Sequence, residues 1–255
     1  APNPVYRNPI GHGMCGPTVH VWGTPEQKQR YLRPLFTGEE IWCQLFSEPG
    51  SGSDFAGLSS RGVKDGDEWV VNGQKVWTTL AHLSRWGLLV VRTNPEAVKH
   101  AGLTAFVVDM QAPGVEVLPL RQMTGEAEFN EVFFTDTRVP AKEMLGQPGD
   151  GWRVSLTTLM NERVSIGGVI PQRGSGTIAP LVKAWTEAPA WRKDAATKDE
   201  VMKLWSRAEV LRLTNIRANQ NRKMGDPGPE GSISKLASAN LNKDIYAELM
   251  NLMGA

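Results

Sequence analysis

The chain has 255 residues, 40% of them hydrophobic and 22% charged, with 28 Lys and Arg against 27 Asp and Glu for a formal net charge of +1. So even a balance, with no dense basic run, gathers no phosphates and excludes nucleic acid and anionic membrane as expected partners. The longest apolar stretches, such as Gly87 to Val91, are too short to span a bilayer, and Ala1 onward shows no charged-then-apolar signal pattern. A cytoplasmic protein without membrane insertion is expected. Cys15 and Cys43 define no disulfide framework and are expected as reduced, buried thiols.

In chain order, Ala1 to Pro17 is rich in Pro, Gly and Asn and reads as an irregular lead-in. Thr24-Pro25-Glu26 places a capping hydroxyl before Pro at the first helical position, and this helix runs to about Phe36 before Gly38 ends it. Short apolar or alternating runs follow, separated by turn signals: Trp42 to Ser47, Leu58 to Lys64, Glu68 to Val71, Gln74 to Thr79, Trp86 to Thr93, Leu103 to Met110, Val115 to Leu120 and Asn130 to Thr135. These are expected strands. Asp65-Gly66 and Asn72-Gly73 predict hairpin turns, so the middle of the chain is expected to be an antiparallel meander.

From Gly151 the period becomes helical. Trp152, Ser155, Leu156, Leu159, Glu162 and Ile166 share one face if each residue advances about 100°, which puts a carboxylate on an otherwise apolar stripe. Pro171 to Ala196 is expected as broken helix or loop. Thr197-x-x-Glu200 predicts a capping box opening a long helix that closes near Gly225 and Pro227, and a last helix starts near Ser232. The fold class is therefore α+β: residues 1–40 end an N-terminal helical domain, 41–149 form a central antiparallel β barrel, and 150–255 start a C-terminal helical bundle.

Ser47-Glu48-Pro49-Gly50-Ser51-Gly52-Ser53-Asp54 ends a strand in a hydroxyl, then lets backbone amides and small hydroxyls approach a ligand closely. It is neither a Walker loop nor a dinucleotide fingerprint, and taken alone it also fits an ordinary turn. In Gln74 to Thr79 the two-residue period places Trp77 and Thr79 on one face, an aromatic wall beside a hydroxyl donor that suits a flat heteroaromatic cofactor. Such a strand equally fits a half-buried sheet. The four histidines and two cysteines do not cluster, so no metal site is expected.

Together with Val139-Pro140 and Asn161-Glu162-Arg163, these segments, in this order and spacing, resemble the acyl-CoA dehydrogenase family of flavoproteins. The match covers Gly23 to Gly168 and continues more loosely to the end. The resemblance implies N-terminal helices, a central β barrel and a C-terminal bundle, with FAD as cofactor and an acyl-CoA thioester as substrate. By position, it implies that Gln44, Phe46 and Ser47 meet the flavin pyrimidine edge. Gly52 and Ser53 lie near the FAD pyrophosphate, with Ser53 also near the pantetheine arm. Trp77, Thr78 and Thr79 pack on the flavin and donate toward N5. Hydride transfer to N5 needs fixed donors, which Ser47 and Thr79 supply without reorganising. Asn161 and Arg163 flank the substrate.

Proton abstraction beside a thioester needs a carboxylate in a dry site, and the resemblance assigns that role to Glu162. The competing reading is an ion pair of Glu162 with Arg163 or another arginine that only locks the helix. Family members carry further helices before Gly11 and after Leu252, so the chain is expected to lack the first N-terminal and last C-terminal helices. An Arg-x-x-Phe-Gly segment that reaches the partner's FAD is also missing from Pro171 to Lys198. The resemblance further implies electron-transfer flavoprotein as acceptor and a homo- or hetero-oligomer, dimer or tetramer. Two alternatives share the fold: a non-catalytic subunit of a heteromeric dehydrogenase, and a flavin monooxygenase or nitroalkane oxidase. Of nine tryptophans, Trp22, Trp69, Trp86, Trp185, Trp191 and Trp205 are expected in core or interface packing, with Trp42 and Trp152 unassigned.

Overall fold

The computed structural model describes residues 4–167, 170–224 and 229–254, in two compact units, Ala1–Glu162 and Arg163–Ala255. The first unit opens with α1 (Pro4–Arg7), a π-helical turn (Gly11–Cys15) and α2 (Gly16–Trp22). Helix thus replaces the irregular lead-in expected there. The cause is Asn8, fully buried. Its amide donates to the carbonyls of Leu35 (3.0 Å) and Glu40 (3.2 Å), and its oxygen accepts the N–H groups of Gly11 (3.2 Å) and Trp42 (3.0 Å). One side chain satisfies a backbone group on its own turn and three that lie 27 to 34 residues away, which a local pattern cannot encode. α3 (Pro25–Thr37) follows as expected. Thr24 accepts the Gln27 N–H at 3.2 Å, Gln27 returns the bond at 2.8 Å, and Gly38 ends the helix at φ +72°.

Eight strands form one mixed sheet: β1 (Trp42–Leu45), β2 (Arg61–Asp65), β3 (Glu68–Thr79), β4 (Trp86–Arg92), β5 (Leu103–Asp109), β6 (Val115–Leu120), β7 (Phe129–Pro140) and β8 (Met144–Leu145). Their order is β6-β7-β3-β2-β4-β5-β8, with β1 also against β4. The expected antiparallel barrel is corrected on two points. Among the described residues β6 and β8 pair with one neighbour each and not with each other, so the sheet does not close. Two pairings are parallel, β1 with β4 along Trp86–Leu89 and β2 with β4 at Arg92. Both strands share one edge of β4, and the chain between them, residues 46–60, fills the split.

The Asp65-Gly66 turn joins β2 to β3 as expected. Asn72-Gly73 does not turn; it lies inside the twelve-residue β3 at a register shift against β7. Glycine is required there by close approach, since a Cβ on Gly73 would sit 2.2 Å from Ser60 Oγ. Asn72 instead bonds across to β7, donating to Asp136 Oδ1 and accepting the Asp136 N–H, each at 2.9 Å.

β4 and β5 are buried on both faces, which explains their unbroken apolar runs. Leu88 and Val90 face Val19, Tyr31, Leu35, Trp42 and Val154, while Leu89 and Val91 face Trp69, Val71, Phe106, Val132 and Phe134. α4 (Gly151–Gly167) packs its first turns on the former cluster. Its buried face is Gly151, Val154, Ser155 and Thr158, roughly a quarter turn from the expected stripe; Leu156 is 39% exposed. Small and hydroxyl residues let the helix sit close to the core, where a stripe of large apolar residues would hold it off. The side chain of Ile166 lies outside the described residues.

In the second unit, α5 (Ala179–Glu187), α6 (Ala195–Lys223) and α7 (Glu230–Met253) pack through Ile178, Leu181, Val201, Leu204, Leu241, Ile245 and Leu252. The broken stretch expected over Pro171 to Ala196 contains α5 between two 3₁₀ turns. α6 starts two residues before the expected cap: the Asp194 carboxylate accepts the Thr197 N–H at 2.7 Å, so Asp194 and not Thr197 caps it. Gly225 and Pro227 lie outside the described residues. No described helix is long and apolar enough to cross a membrane.

Replacing Asn8 by Ala removes four hydrogen bonds to the backbone at once. Urea unfolding is expected to show a loss of about 3 kcal/mol. Asn8→Asp, which keeps the acceptor and loses the donors, is expected to fall between Ala and the parent.

Candidate functional site

The site is built where β1 leaves β4. Ser47 O accepts the Val76 N–H at 2.9 Å, laying the end of β1 beside the middle of β3. Beneath this contact lies a buried ion pair that sequence reading did not single out. Lys75, on β3 and 0% exposed, donates to Glu48 Oε1 at 2.8 Å and to the Phe46 carbonyl at 3.1 Å. The Glu48 carboxylate also accepts the Ser59 N–H (2.6 Å), the Ser59 hydroxyl (2.8 Å) and the Ser60 N–H (3.0 Å). Burial alone would push Glu48 up. The Lys75 ammonium and the converging donors overcome it and hold the carboxyl down at about 2. Burial pushes Lys75 down to about 8, with the attraction of Glu48 offsetting only part of the desolvation. The pair clamps residues 46–48, 59–60 and 75 into one rigid node.

On either side of that node stand the sequence-predicted residues. Phe46 is buried and stacks on Phe55 with ring centroids 4.8 Å apart. Trp77 takes a left-handed backbone, φ +59°, at the register shift between Lys75 and Thr78, and 62% of it is exposed. A β-bulge that holds a large aromatic residue in that region costs on the order of 1–3 kcal/mol and turns the ring away from the core. Its edge meets Phe129 at 6.2 Å. Thr78 is buried and Thr79 half-buried, so Trp77 and Thr79 open outward while Val76 and Thr78 point in. The Thr78 carbonyl is fixed by Asn130 Nδ2 at 2.9 Å, and Asn130 is oriented by His82 at 3.0 Å.

Two buried polar atoms here find no hydrogen-bond partner among the described residues, Gln44 Oε1 and Thr78 Oγ1. Buried polar atoms are ordinarily paired; Gln44 Oε1, on β1, would suit a polar-edged ligand, whereas Thr78 Oγ1 points into the fold. Ser47 is half-buried, and Gly52 and Ser53 are exposed on the following loop. A Cβ on Gly52 would meet no atom within 4 Å. The fold itself therefore does not demand glycine at this point, whereas close approach by a bulky anionic ligand would. The loop is tied down elsewhere: the Ser51 hydroxyl donates to the Asp54 carbonyl at 2.6 Å, and Arg92 Nη2 donates to the Ala56 carbonyl at 2.7 Å.

The stacked rings continue from Phe55 to Trp152 on α4, 6.1 Å apart, which places the previously unassigned Trp152. Ten residues on, about 15 Å along the helix axis, comes Glu162, half-buried and in line with the Gly151, Ser155 and Thr158 face. Asn161 donates to the Thr157 carbonyl of its own helix at 2.8 Å. Arg163, exposed, opens the second unit. Trp42 is fully buried in the core, and Trp191, expected in packing, is 74% exposed. Cys15 and Cys43 are free and buried, and burial pushes both thiols well up. Among the described residues no group of three or more His, Cys, Asp or Glu side chains could hold a metal ion.

Comparison with known proteins matches residues 43–137 to the acyl-CoA dehydrogenase middle domain and residues 149–255 to the acyl-CoA dehydrogenase C-terminal domain. Acyl-CoA dehydrogenase IpdE1 of Mycobacterium tuberculosis is 38% identical over 250 residues, 97% of this chain and 64% of that protein. Acyl-CoA dehydrogenase FadE34 of the same organism is 40% identical over 239 residues, 93% of this chain and 33% of that protein. The chain therefore spans less than two thirds of these relatives. Among solved structures, an acyl-CoA dehydrogenase from Geobacillus kaustophilus superposes with a TM-score of 0.89 at 27% identity, covering 96% of this chain and 67% of that one. The ChsE4-ChsE5 complex from Mycobacterium tuberculosis gives 0.85 at 30% identity, covering all of this chain and 66% of that one.

The buried pair makes a signed prediction. Glu48 has a folded value below its ordinary one, so its contribution to stability is complete above about pH 4.5 and is lost as pH falls toward 2. Glu48→Gln removes the Glu48 part of this acid dependence and leaves Lys75 buried without a counter-charge, which pulls it further toward the neutral amine, at a cost of about 3–5 kcal/mol near neutral pH. Chemical denaturation at pH 3 to 7 checks both: the Gln variant is less stable than the parent at neutral pH, and the gap between the two curves narrows as pH falls from about 4.5 to 3, where the parent loses the Glu48 contribution. The double variant Glu48→Gln with Lys75→Met is expected to regain part of the loss.

Proposed function

Because the chain belongs to the acyl-CoA dehydrogenase family, we propose that the protein dehydrogenates an acyl-CoA thioester between Cα and Cβ, with Glu162 removing the α-proton. The observation that carries this reading is Trp77, exposed on a strained bulge with Thr79 opening on the same side. These are features a folded strand alone has no use for, and they fit the FAD that the family uses. Gln44, Phe46, Ser47, Trp77, Thr78 and Thr79 would hold the isoalloxazine ring, and Gly52 and Ser53 the pyrophosphate. FAD, when bound, supplies the acceptor for the hydride that leaves Cβ.

The residues of the chain do the rest. Trp77 presents a flat apolar face that excludes water from one side of the ring pocket. Ser47 and Thr79 are hydroxyl donors on strands locked by the Glu48–Lys75 node, so they meet developing charge without reorganising. Glu162 stands on a helix anchored to the same unit and takes the proton from a carbon acidified by the neighbouring thioester carbonyl. The electron acceptor would be an electron-transfer flavoprotein. The likeness to a complex of two named chains favours a hetero-oligomer, with a non-catalytic partner role as the second reading.

Anaerobic mixing of the FAD-loaded full-length protein with butyryl-, octanoyl-, palmitoyl- and steroid-side-chain acyl-CoA is the test. One of these is expected to bleach the flavin absorbance, and Glu162→Gln to slow bleaching by on the order of 10³-fold with flavin still bound. Bleaching at the parent rate in the Gln variant sinks Glu162 as the base. Bleaching that depends on adding a second chain, and survives Glu162→Gln, supports the non-catalytic role. Oxygen consumption in place of bleaching marks a monooxygenase or nitroalkane oxidase.

A further inference from the structure

α4, which carries Glu162, meets the N-terminal helices through hydroxyls as well as apolar packing. Thr18 on α2 and Thr158 on α4, both 0% exposed and 140 residues apart in sequence, bring their Oγ1 atoms to 2.9 Å. One residue earlier on α4, Thr157 Oγ1 accepts the Trp22 indole N–H at 2.9 Å. Thr158 lies one turn before Glu162, at i and i+4, on the same helix face and about 6 Å along the axis.

A proton count orients the bond. Thr18 and Thr158 have two hydroxyl protons for three contacts: Thr18 to the Met14 carbonyl at 2.8 Å, Thr158 to the Val154 carbonyl at 3.2 Å, and the bond between them. Keeping the shorter carbonyl bond makes Thr18 donate to Met14, so Thr158 donates to Thr18. Thr158 is thereby drawn off its own helix and onto α2. Its neighbours on α4 do the opposite: Ser155, Thr157 and Asn161 donate to carbonyls four residues back, a pattern that loosens and bends a helix. The cross-helix bond fixes a helix whose own side chains soften it, one turn from the carboxylate.

We propose that Thr158, held by Thr18, is a positioning residue for Glu162. The inference rests on Glu162 as the base. Thr158→Val keeps the shape and removes the donor; Thr158→Ser restores it. In the FAD-loaded full-length protein, anaerobic bleaching by the best acyl-CoA of the panel is expected to slow about tenfold in the Val variant, as a misplacement of a fraction of an ångström would where a full ångström costs about 10²-fold, and to recover within about twofold in the Ser variant. In a Glu162→Asp background, where the carboxylate is already withdrawn by one methylene, Thr158→Val is expected to add little. Hydrogen exchange is expected to speed at the α4 amides in Thr158→Val. An equal slowing in both backgrounds, a Ser variant as slow as Val, or faster exchange with an unchanged bleaching rate overturns the proposal. Bleaching unaffected by Glu162→Gln overturns the base assignment itself, and the two failures are thereby told apart.

Discussion

The first unit depends on a buried charge pair. Glu48 and Lys75 lie in the interior, where desolvating each ion costs several kcal/mol and mutual attraction alone seldom repays it. What tips the balance is saturation. The carboxylate collects the ammonium, two backbone amides and a hydroxyl, while the ammonium spends a second proton on the Phe46 carbonyl. An apolar pair of equal volume would pack as well and could slide; a charge pair with five directional contacts cannot. It therefore fixes register between the end of β1 and the middle of β3, two segments that the sheet itself does not pair.

That absence of pairing is what makes room for a site. β1 and β2 run along the same edge of β4 and then part, and residues 46–60 cross the opening without a ladder of their own. Several of their backbone groups are met by side chains instead, those of Glu48, Ser51 and Arg92. A segment held this way is rigid yet keeps one face clear, as the empty space around a Cβ at Gly52 shows. Strain collects beside the same opening, with Trp77 and Leu80 both at φ +59°. A strained bulge survives only where neighbouring contacts over-determine it, and Lys75 on one side and the Asn130 bond to Thr78 on the other do so.

Much of this was legible in the residues, for reasons that differ element by element. Asp65-Gly66 made its hairpin because the turn geometry is local, and α3 started and stopped at Thr24 and Gly38 because caps are local too. Asn72-Gly73 misled because a glycine tolerates both a turn and the close approach of Ser60, and only the tertiary structure decides between them. Asn8 sits in a stretch that looks irregular because its partners lie up to 34 residues away. The open mixed sheet was hidden by the same limit: alternation marks a strand but does not say which neighbour lies parallel. The candidate site residues were proposed through family resemblance, whereas Lys75 was passed over although it lies between two of them. A lysine in a strand pattern ordinarily marks a solvent face, and its burial follows only once Glu48 is brought alongside.

The hydroxyl-rich face of α4 shows how a helix that bears the proposed base is held differently from a core helix. Large apolar residues at Gly151, Ser155 and Thr158 would bury more area, but non-directional packing lets a helix roll or slide by fractions of an ångström at little cost. A Cβ on Gly151 would come within 2.6 Å of the Leu103 carbonyl carbon, so the helix start is pressed against β5. Thr158 then ties the next turns to α2, and Trp22 ties the flank at Thr157. Three contacts of different kinds at three heights define both the depth and the rotation of the helix. Depth alone would follow from packing; rotation needs directional bonds, and rotation is what decides where a side chain four residues further on points.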